Sequence, residues 1–536
     1  MSVKNLTVML DCSRNAILTV ENVKKFVDLI SKMGYNGLML YTEDTFEVEG
    51  EKFFGYKRGK YTVKEIIEIR DYCNEKGVEL IPCIQTLAHL GTIFRWKEYG
   101  NICDVNDILL IDDERTYVLI ENIFKTLSKA FTSRRVHIGM DEAYMVGLGK
   151  YMQKYGSQDK IDLLIKHLTK VVEISQKYGF RPMMWSDMFF RLLSNGEYYG
   201  GTANISSRKE IKGLLESVDI VYWDYYSTEK KHYDEMFYAH NALTSTPIFA
   251  GGIWSWNGFA PYNCFSQEVA KASLDSCKDN GVDEVIFTMW RDHGAECSFF
   301  ALLPALFYSA QTAKGESNLN KIKQEFFELT GIDYDVFCSL DLPNAISNKT
   351  KTDNPCKNLF YNDVFLRIFD CCVPEGTFKT YSENQKILRA NGEKAGEYKY
   401  LFDCMSALCG VLAIKCELGI KTQQLYKKQD KEGLKRLAEN EYFELLNRIE
   451  EFYEKFRAVW YKENKTYGFE VQDIRIGGLI CRIKNCRKML LDYCSGLIDI
   501  IEELEEEVFD LDGKDEWQRE TSNRNEWYIA VTANVV

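Results

Sequence analysis

Two hydrophobic patterns take turns along the first 315 positions of the chain. Short apolar runs, of the kind that form buried strands, are each followed by segments whose apolar residues recur at three- and four-residue spacing, as in amphipathic helices. LTVMLDCS (6–13) precedes TVENVKKFVDLISKMG, whose final Gly34 is a helix stop. NGLMLYTE (36–43) precedes YTVKEIIEIRDYCNEKG, again closed by a glycine, Gly77. VELIPCIQT (78–86) leads through a longer loop to RTYVLIENIFKTLSKAF, and RRVHIGMD (134–141) leads to IDLLIKHLTKVVEISQKYG. RPMMWSD (181–187) precedes a less regular segment containing KEIKGLLES, and DIVYWDYY (219–226) precedes HYDEMFYAHNAL. PIFAGGIWSW (247–256) precedes SQEVAKASLDSCKDNG, and DEVIFTMW (283–290) precedes SFFALLPALFYSAQTAKG.

Eight strand–helix units in succession predict a parallel sheet closed into a (β/α)8 barrel, an α/β fold spanning residues 1–315. Beyond Gly315 the pattern becomes helical, predicting a mainly α-helical C-terminal domain over 316–536. Its long helices are expected in KYLFDCMSALCGVLAIKCELGIKTQQLYKK, in 432–459 and in LICRIKNCRKMLLDYCSGLIDIIEELEEEVFD. The stretch 342–395 shows no clear period, and EWYIAVTANVV (526–536) reads as a terminal strand.

Composition narrows the function classes. With 536 residues, 46% of them apolar and 13% aromatic, there is material for more than one large core. A net charge of −13 without a dense Lys/Arg stripe argues against nucleic acid as partner. The most apolar window, 298–310, is too short to span a bilayer and contains a proline, so no membrane association is expected. The N-terminus lacks the pattern of a signal peptide. Seventeen cysteines at irregular spacing, without a CxxC pair, fit reduced structural thiols, as at Cys404, Cys409 and Cys416. The expectation is a cytoplasmic protein without cofactor or metal.

In barrels of this kind the active site lies at the C-terminal ends of the strands. Those ends carry Asp11 and Arg14, then Tyr41, Glu43 and Asp44, then His89, then Asp141 and Glu142. Trp185 and Asp187 follow, then Trp223, Asp224, Tyr225 and Tyr226, then Trp254 and Trp256, and last Trp290, Asp292, His293 and Glu296. Five of the nine tryptophans therefore stand at one rim, and nearly every strand end has a carboxylate. Any one tryptophan is as well explained by core packing. Five together with acids suit a sugar ring, whose C–H face stacks on aromatics while its hydroxyls need hydrogen bonds. Adjacent acids in a regular strand would point to opposite faces. Past the strand end the chain leaves the pleat, so Asp141 and Glu142 can both face the pocket; the alternative is one acid inside and the other in an ion pair or helix cap.

HIGMDE (137–142) matches the H-x-G-x-D-E signature of the β-N-acetylhexosaminidases of glycoside hydrolase family 20. LDCSR in strand one, WSD in strand five and the strand-eight tryptophan are also similar to that family, and the helical tail resembles a branch of bacterial exo-acting hexosaminidases. The resemblance implies a retaining, substrate-assisted removal of terminal N-acetylglucosamine or N-acetylgalactosamine. The substrate's own acetamido oxygen attacks the anomeric carbon to give an oxazolinium intermediate. Glu142 would be the general acid/base, kept protonated by burial or neighbouring acids. Asp141 would orient the acetamido group, with Tyr225 completing the clamp and Tyr226 as its alternative. Trp185, Trp223, Trp254 and Trp290 would wall the sugar subsite. Arg14, Asp292 and Glu296 would meet ring hydroxyls, and His89 and His137 would support the acid pair or serve only as satisfied core histidines.

Three departures stand beside the resemblance. Leu6 occupies the place of an arginine five residues before the strand-one aspartate, and strand eight reads Trp290-Arg291-Asp292 rather than Trp-x-Glu. The small α/β domain often found before the barrel is not expected, since strand one starts almost at the first residue of the sequence. Two other readings differ in class. A metal-dependent barrel hydrolase would use His89, His137, Asp141, Glu142 and His293, but the six histidines form no H-x-H or H-x-x-x-H pair. A non-catalytic N-acetylhexosamine-binding barrel would have no use for the acid pair. The expected partner is an oligosaccharide or glycoconjugate with a terminal β-linked N-acetylhexosamine, and a homodimer is an assembly the sequence allows.

Overall fold

The computed structural model describes residues 3–200, 209–346 and 353–517, together with 519, 521 and 532. Eight parallel strands close into a barrel: β1 (Asn5–Asp11), β2 (Gly37–Tyr41), β3 (Glu79–Cys83), β4 (Arg135–His137), β5 (Arg181–Trp185), β6 (Asp219–Trp223), β7 (Ile248–Gly252) and β8 (Glu284–Met289). Each pairs with its neighbour in sequence, and β1 closes the ring on β8 with Asn5 opposite Glu284 and Leu10 opposite Met289. All eight expected strands are present, and the fold is the expected (β/α)8 barrel.

Local chemistry explains the helix boundaries. Thr19 caps Val20–Met33 by accepting from the Asn22 N–H, and Gly34 ends it in a left-handed conformation, φ 101°. Thr62 and Glu65 form a reciprocal capping box at the start of Val63–Glu75. Asp113 and Asp159 cap Glu114–Ala130 and Lys160–Lys177. The barrel interior is packed with alternate residues of the strands, among them Met9, Met39, Ile81, Met183, Val221, Ala250 and Ile286. Two residues further along, the same alternation brings Asp11, Tyr41, Cys83, Trp185 and Trp223 to the strand C-termini.

The chain divides into two compact units. The first comprises Met1–Ile253, Ser266–Trp290 and Ala305–Asn318; the second comprises Trp254–Phe265, Arg291–Pro304 and Leu319–Val536. Segments that directly follow β7 and β8 in sequence thus group with the second unit. That unit is helical. The three long expected helices are each interrupted: at Cys416-Glu417 between Lys399–Lys415 and Leu418–Lys427, at Asn440 between Lys431–Glu439 and Glu441–Glu463, and after Glu470–Ser495 at Gly496, φ 77°. The unassigned stretch 342–395 contains Pro355–Tyr361 and Thr377–Gly392; the latter is largely polar, which hid its period. Phe259, Phe360, Phe452 and Phe456 pack edge to face and stacked in its core. The expected terminal strand at 526–536 lies outside the described residues apart from Thr532. Among the described residues all cysteines are free, and no helix is long and apolar enough to cross a membrane.

Candidate active site

Strand β4 is short, and its end is where the backbone becomes unusual. After His137, Gly139 (φ 71°), Met140 (φ 69°) and Glu142 (φ 53°) are left-handed. For residues with a Cβ that conformation costs on the order of 1–3 kcal/mol and persists only where the surroundings enforce it. It abolishes the strand alternation, and both acids converge on one group: His89 Nε2 lies 3.3 Å from Asp141 Oδ2 and 3.8 Å from Glu142 Oε2. His89 itself is left-handed (φ 58°), its backbone N–H held by Asp107. A Cβ on Gly139 would stand 2.0 Å from Gln85 Oε1, so the glycine of the motif makes room for that amide.

Gln85 is the hub of the arrangement. Its Nε2 donates to Asp141 Oδ1 at 2.8 Å and to the Tyr41 hydroxyl at 2.9 Å, while its Oε1 accepts the Met140 N–H. Glu142 donates its backbone N–H to Asp187 Oδ2 at 3.1 Å, and its carboxylate accepts from the Tyr144 hydroxyl at 3.2 Å.

These contacts separate the two acids electrostatically. Burial alone would raise the Asp141 pKa, but the His89 cation and hydrogen bonds from His89 and Gln85 overcome it and hold the carboxyl below its usual value. Burial and the Asp141 charge push Glu142 up. Its side chain remains part-exposed to solvent. For His89, burial disfavours the cation, yet Asp141 and then Glu43 outweigh it and carry the pKa to about 10. Asp187 rises to about 7 through burial and the Asp141 charge. At neutral pH Asp141 is an anion beside a cationic His89, and Glu142 is the member of the pair inclined to keep its proton.

Around them stands a second group of acids. Arg14 Nε is 3.2 Å from Asp11 Oδ2, and its Nη1 is 3.6 Å from Glu43 Oε1. Tyr41 donates to Glu43 at 3.1 Å, and burial lifts Glu43 to about 7. The aromatic residues are placed as follows. Trp185 is buried, its ring 6.3 Å from that of Trp290, which meets Tyr41 edge-on at 4.8 Å. Trp223 stacks on Tyr225 at 5.3 Å. Tyr225 is buried, which raises its hydroxyl pKa, while hydrogen bonds from Trp290 and Thr288 pull it down. Tyr226 is exposed. His137 is a buried core group: it accepts the Gly139 N–H, packs 4.2 Å from the Trp185 ring, and burial drives its pKa to about 3.

Three expected site residues belong to the second unit. Trp254 is buried there and stacks on Trp256 at 4.6 Å. Asp292 is half-buried. Glu296 is buried in an ion-pair cluster, 2.8 Å from Lys357 Nζ and 3.1 Å from Arg475 Nη1, so its carboxylate is engaged by two cations. Conversely, no sequence motif marks Gln85 or Tyr144, and Glu43 and Asp187 stand at the rim without a role that the sequence assigns. The one signal for Gln85 was its position, two residues past Cys83 and on the same side of the alternation. Among the described residues no three of His, Cys, Asp and Glu form a group able to hold a metal.

The fold and these contacts define a class: a (β/α)8 barrel whose strand ends bring together two adjacent acids, one pKa lowered and the other raised, near Trp185, Trp223 and Trp290. Two models of a single family match the sequence, the catalytic domain of glycosyl hydrolase family 20 over residues 7–235 and the glycoside hydrolase 20C C-terminal domain over 334–523. The chain belongs to glycoside hydrolase family 20. It is 24% identical over 215 residues to hexosaminidase D of Homo sapiens, covering 38% of this chain and 42% of that protein. It is 22% identical over 262 residues to beta-hexosaminidase 1 of Coccidioides posadasii, covering 40% and 44%. The chain thus spans less than half the length of either relative. A crystal structure of an exo β-N-acetylglucosaminidase from Vibrio harveyi superposes with a TM-score of 0.46 at 13% identity, covering 61% of this chain and 58% of that one.

Proposed function

We propose that the chain is an exo-β-N-acetylhexosaminidase working by substrate-assisted retention. The observation that carries the reading is the divided acid pair: two consecutive carboxyls turned onto one histidine, one held ionised and the other pushed toward its protonated form. Glu142 donates its proton to the leaving oxygen as the glycosidic bond breaks. The acetamido oxygen of the substrate forms the new bond to the anomeric carbon, an intramolecular attack at high effective concentration. Ionised Asp141 orients the acetamido N–H and stabilises the positive charge that develops on it. Tyr225, fixed against Trp223, completes the clamp. Glu142, now a carboxylate, takes a proton from water as the water opens the oxazolinium ion, restoring the acid and retaining the configuration. Trp185, Trp223 and Trp290 wall the sugar subsite, and Arg14, set between Asp11 and Glu43, reaches its hydroxyls.

A panel of aryl glycosides tests this reading. The β-N-acetylglucosaminide and β-N-acetylgalactosaminide are expected to be cleaved and the plain β-glucoside left intact. Equal turnover of the glucoside would refute the acetamido mechanism, and loss of activity on addition of a chelator would favour the metal-dependent reading.

A further inference from the structure

The residues directly after the acid pair do not turn back into the core. Tyr144 and Met145 are 41% and 40% exposed. Large apolar side chains in consecutive exposed positions are unusual unless something covers them. Here their placement says what. The Tyr144 hydroxyl donates to Glu142 Oε1 at 3.2 Å, so its ring lies one hydrogen bond from the carboxyl that protonates the leaving oxygen. The Arg191 guanidinium sits 5.1 Å from the centre of that ring and 3.9 Å from Asp187 Oδ2, and Asp187 in turn holds the Glu142 backbone. Glu142, Tyr144, Arg191 and Asp187 therefore form a closed ring of contacts that keeps the tyrosine plane in place. Next along the chain, Met145 Sδ accepts from Asn106 Nδ2 at 4.0 Å.

We propose that Tyr144, flanked by Met145 and Arg191, is the platform for the leaving group, and that this group is the penultimate sugar of an oligosaccharide. The inference rests on the assignment of Glu142 as the acid. Any group attached to the oxygen that Glu142 protonates must lie within a few ångströms of Tyr144. A flat aromatic face suits the C–H face of a pyranose. The Arg191 guanidinium lies over one face of the ring, 5.1 Å from its centre, and backs the platform from that side, so the sugar would stack on the opposite face. The platform acts on the second sugar, whereas Trp185, Trp223, Trp290 and Arg14 act on the terminal one.

The test compares two substrates that share the terminal N-acetylated sugar and an alkoxide leaving group of similar demand for a proton: a β-linked N-acetylglucosamine disaccharide and the methyl β-glycoside. In wild-type protein the disaccharide is expected to have the higher kcat/KM. Tyr144→Ala should lower the disaccharide-to-methyl ratio by about five- to tenfold, the size of one stacking contact. Tyr144→Phe, which keeps the ring and loses only the hydroxyl on Glu142, should hold the ratio near wild type while lowering both rates together. An unchanged ratio in Tyr144→Ala overturns the platform, and so does a ratio lost equally in Tyr144→Phe. If wild-type protein cleaves neither substrate nor an activated aryl glycoside, it is the assignment of Glu142 that fails instead.

Discussion

Glu142 and Glu296 both follow barrel strands in the sequence, yet their surroundings are opposite. Glu142 is 44% exposed, accepts one hydrogen bond from a neutral phenol, and faces the anion of Asp141. Glu296 is 1% exposed and sits between Lys357 and Arg475 in the helical unit. A carboxyl beside an anion, with the His89 cation 3.8 Å away and closer to Asp141, favours its proton and can give it up. A carboxyl between two cations is a fixed charge that holds its neighbours in place. The same side chain is a reagent in one place and a structural anion in the other. What separates them is the charge of the partners: Asp141 and Tyr144 are sequence neighbours of Glu142, whereas Lys357 and Arg475 come to Glu296 from distant segments of the chain.

The largest effect should come from removing the reagent. Glu142→Gln is expected to lower kcat/KM toward sugar leaving groups by about 10²–10⁴-fold, the usual contribution of a general acid, with much smaller losses on aryl glycosides that depart without a proton. A uniform small loss on both would dissociate Glu142 from proton transfer. Next, Asp141→Asn should reduce turnover of N-acetylated substrates by about 10²–10³-fold, the scale of one lost electrostatic contact in a transition state. It also carries a pH signature. The Asp141 charge raises the Glu142 pKa, and the acid works only while protonated. Neutralising Asp141 therefore lowers that pKa, and the alkaline limb of kcat/KM moves to lower pH. A limb that stays in place, or moves up, would contradict the coupling.

The other side of the comparison is a question of stability. Glu296→Gln leaves Lys357 and Arg475 short of an anion in a buried setting, a class of change that costs about 3–5 kcal/mol. Thermal unfolding should show a drop of several degrees; no drop would mean that the cluster is relaxed by solvent. The smallest effect is expected at Gln85. Gln85→Leu removes one of the hydrogen bonds that keep Asp141 ionised and should lower kcat about tenfold, near the 1.5–3 kcal/mol typical of a bond to a charged group. A variant as active as wild type would show that His89 alone holds Asp141.

The eight strands were legible because each is a short apolar run bounded by helix caps, and the strand-end rule then located Asp141, Glu142 and Trp185 along the chain. The HIGMDE motif announced the acid pair and the family. Other features were not legible. Gln85 is 56 residues from the Asp141 it serves, and Arg191 is 47 from Tyr144, so no window in the sequence contains either pair. The helices of the second unit are shorter than the pattern predicts because apolar periodicity continues across Cys416-Glu417 and Asn440, where the backbone turns.

By itself, then, the sequence determined the order and type of the elements, the barrel they close into, and the presence of two consecutive acids at one strand end. Periodicity and capping are properties of neighbours, and neighbours are what a sequence displays. Only the tertiary structure decided that Gly139, Met140 and Glu142 turn left-handed so that both acids meet His89. It also decided that Glu142 stays half-open beside Tyr144 while Glu296 is closed between two cations. The protonation preference of a carboxyl depends on the charges and burial that reach it through space, and those are set by chain segments that meet only when the protein folds.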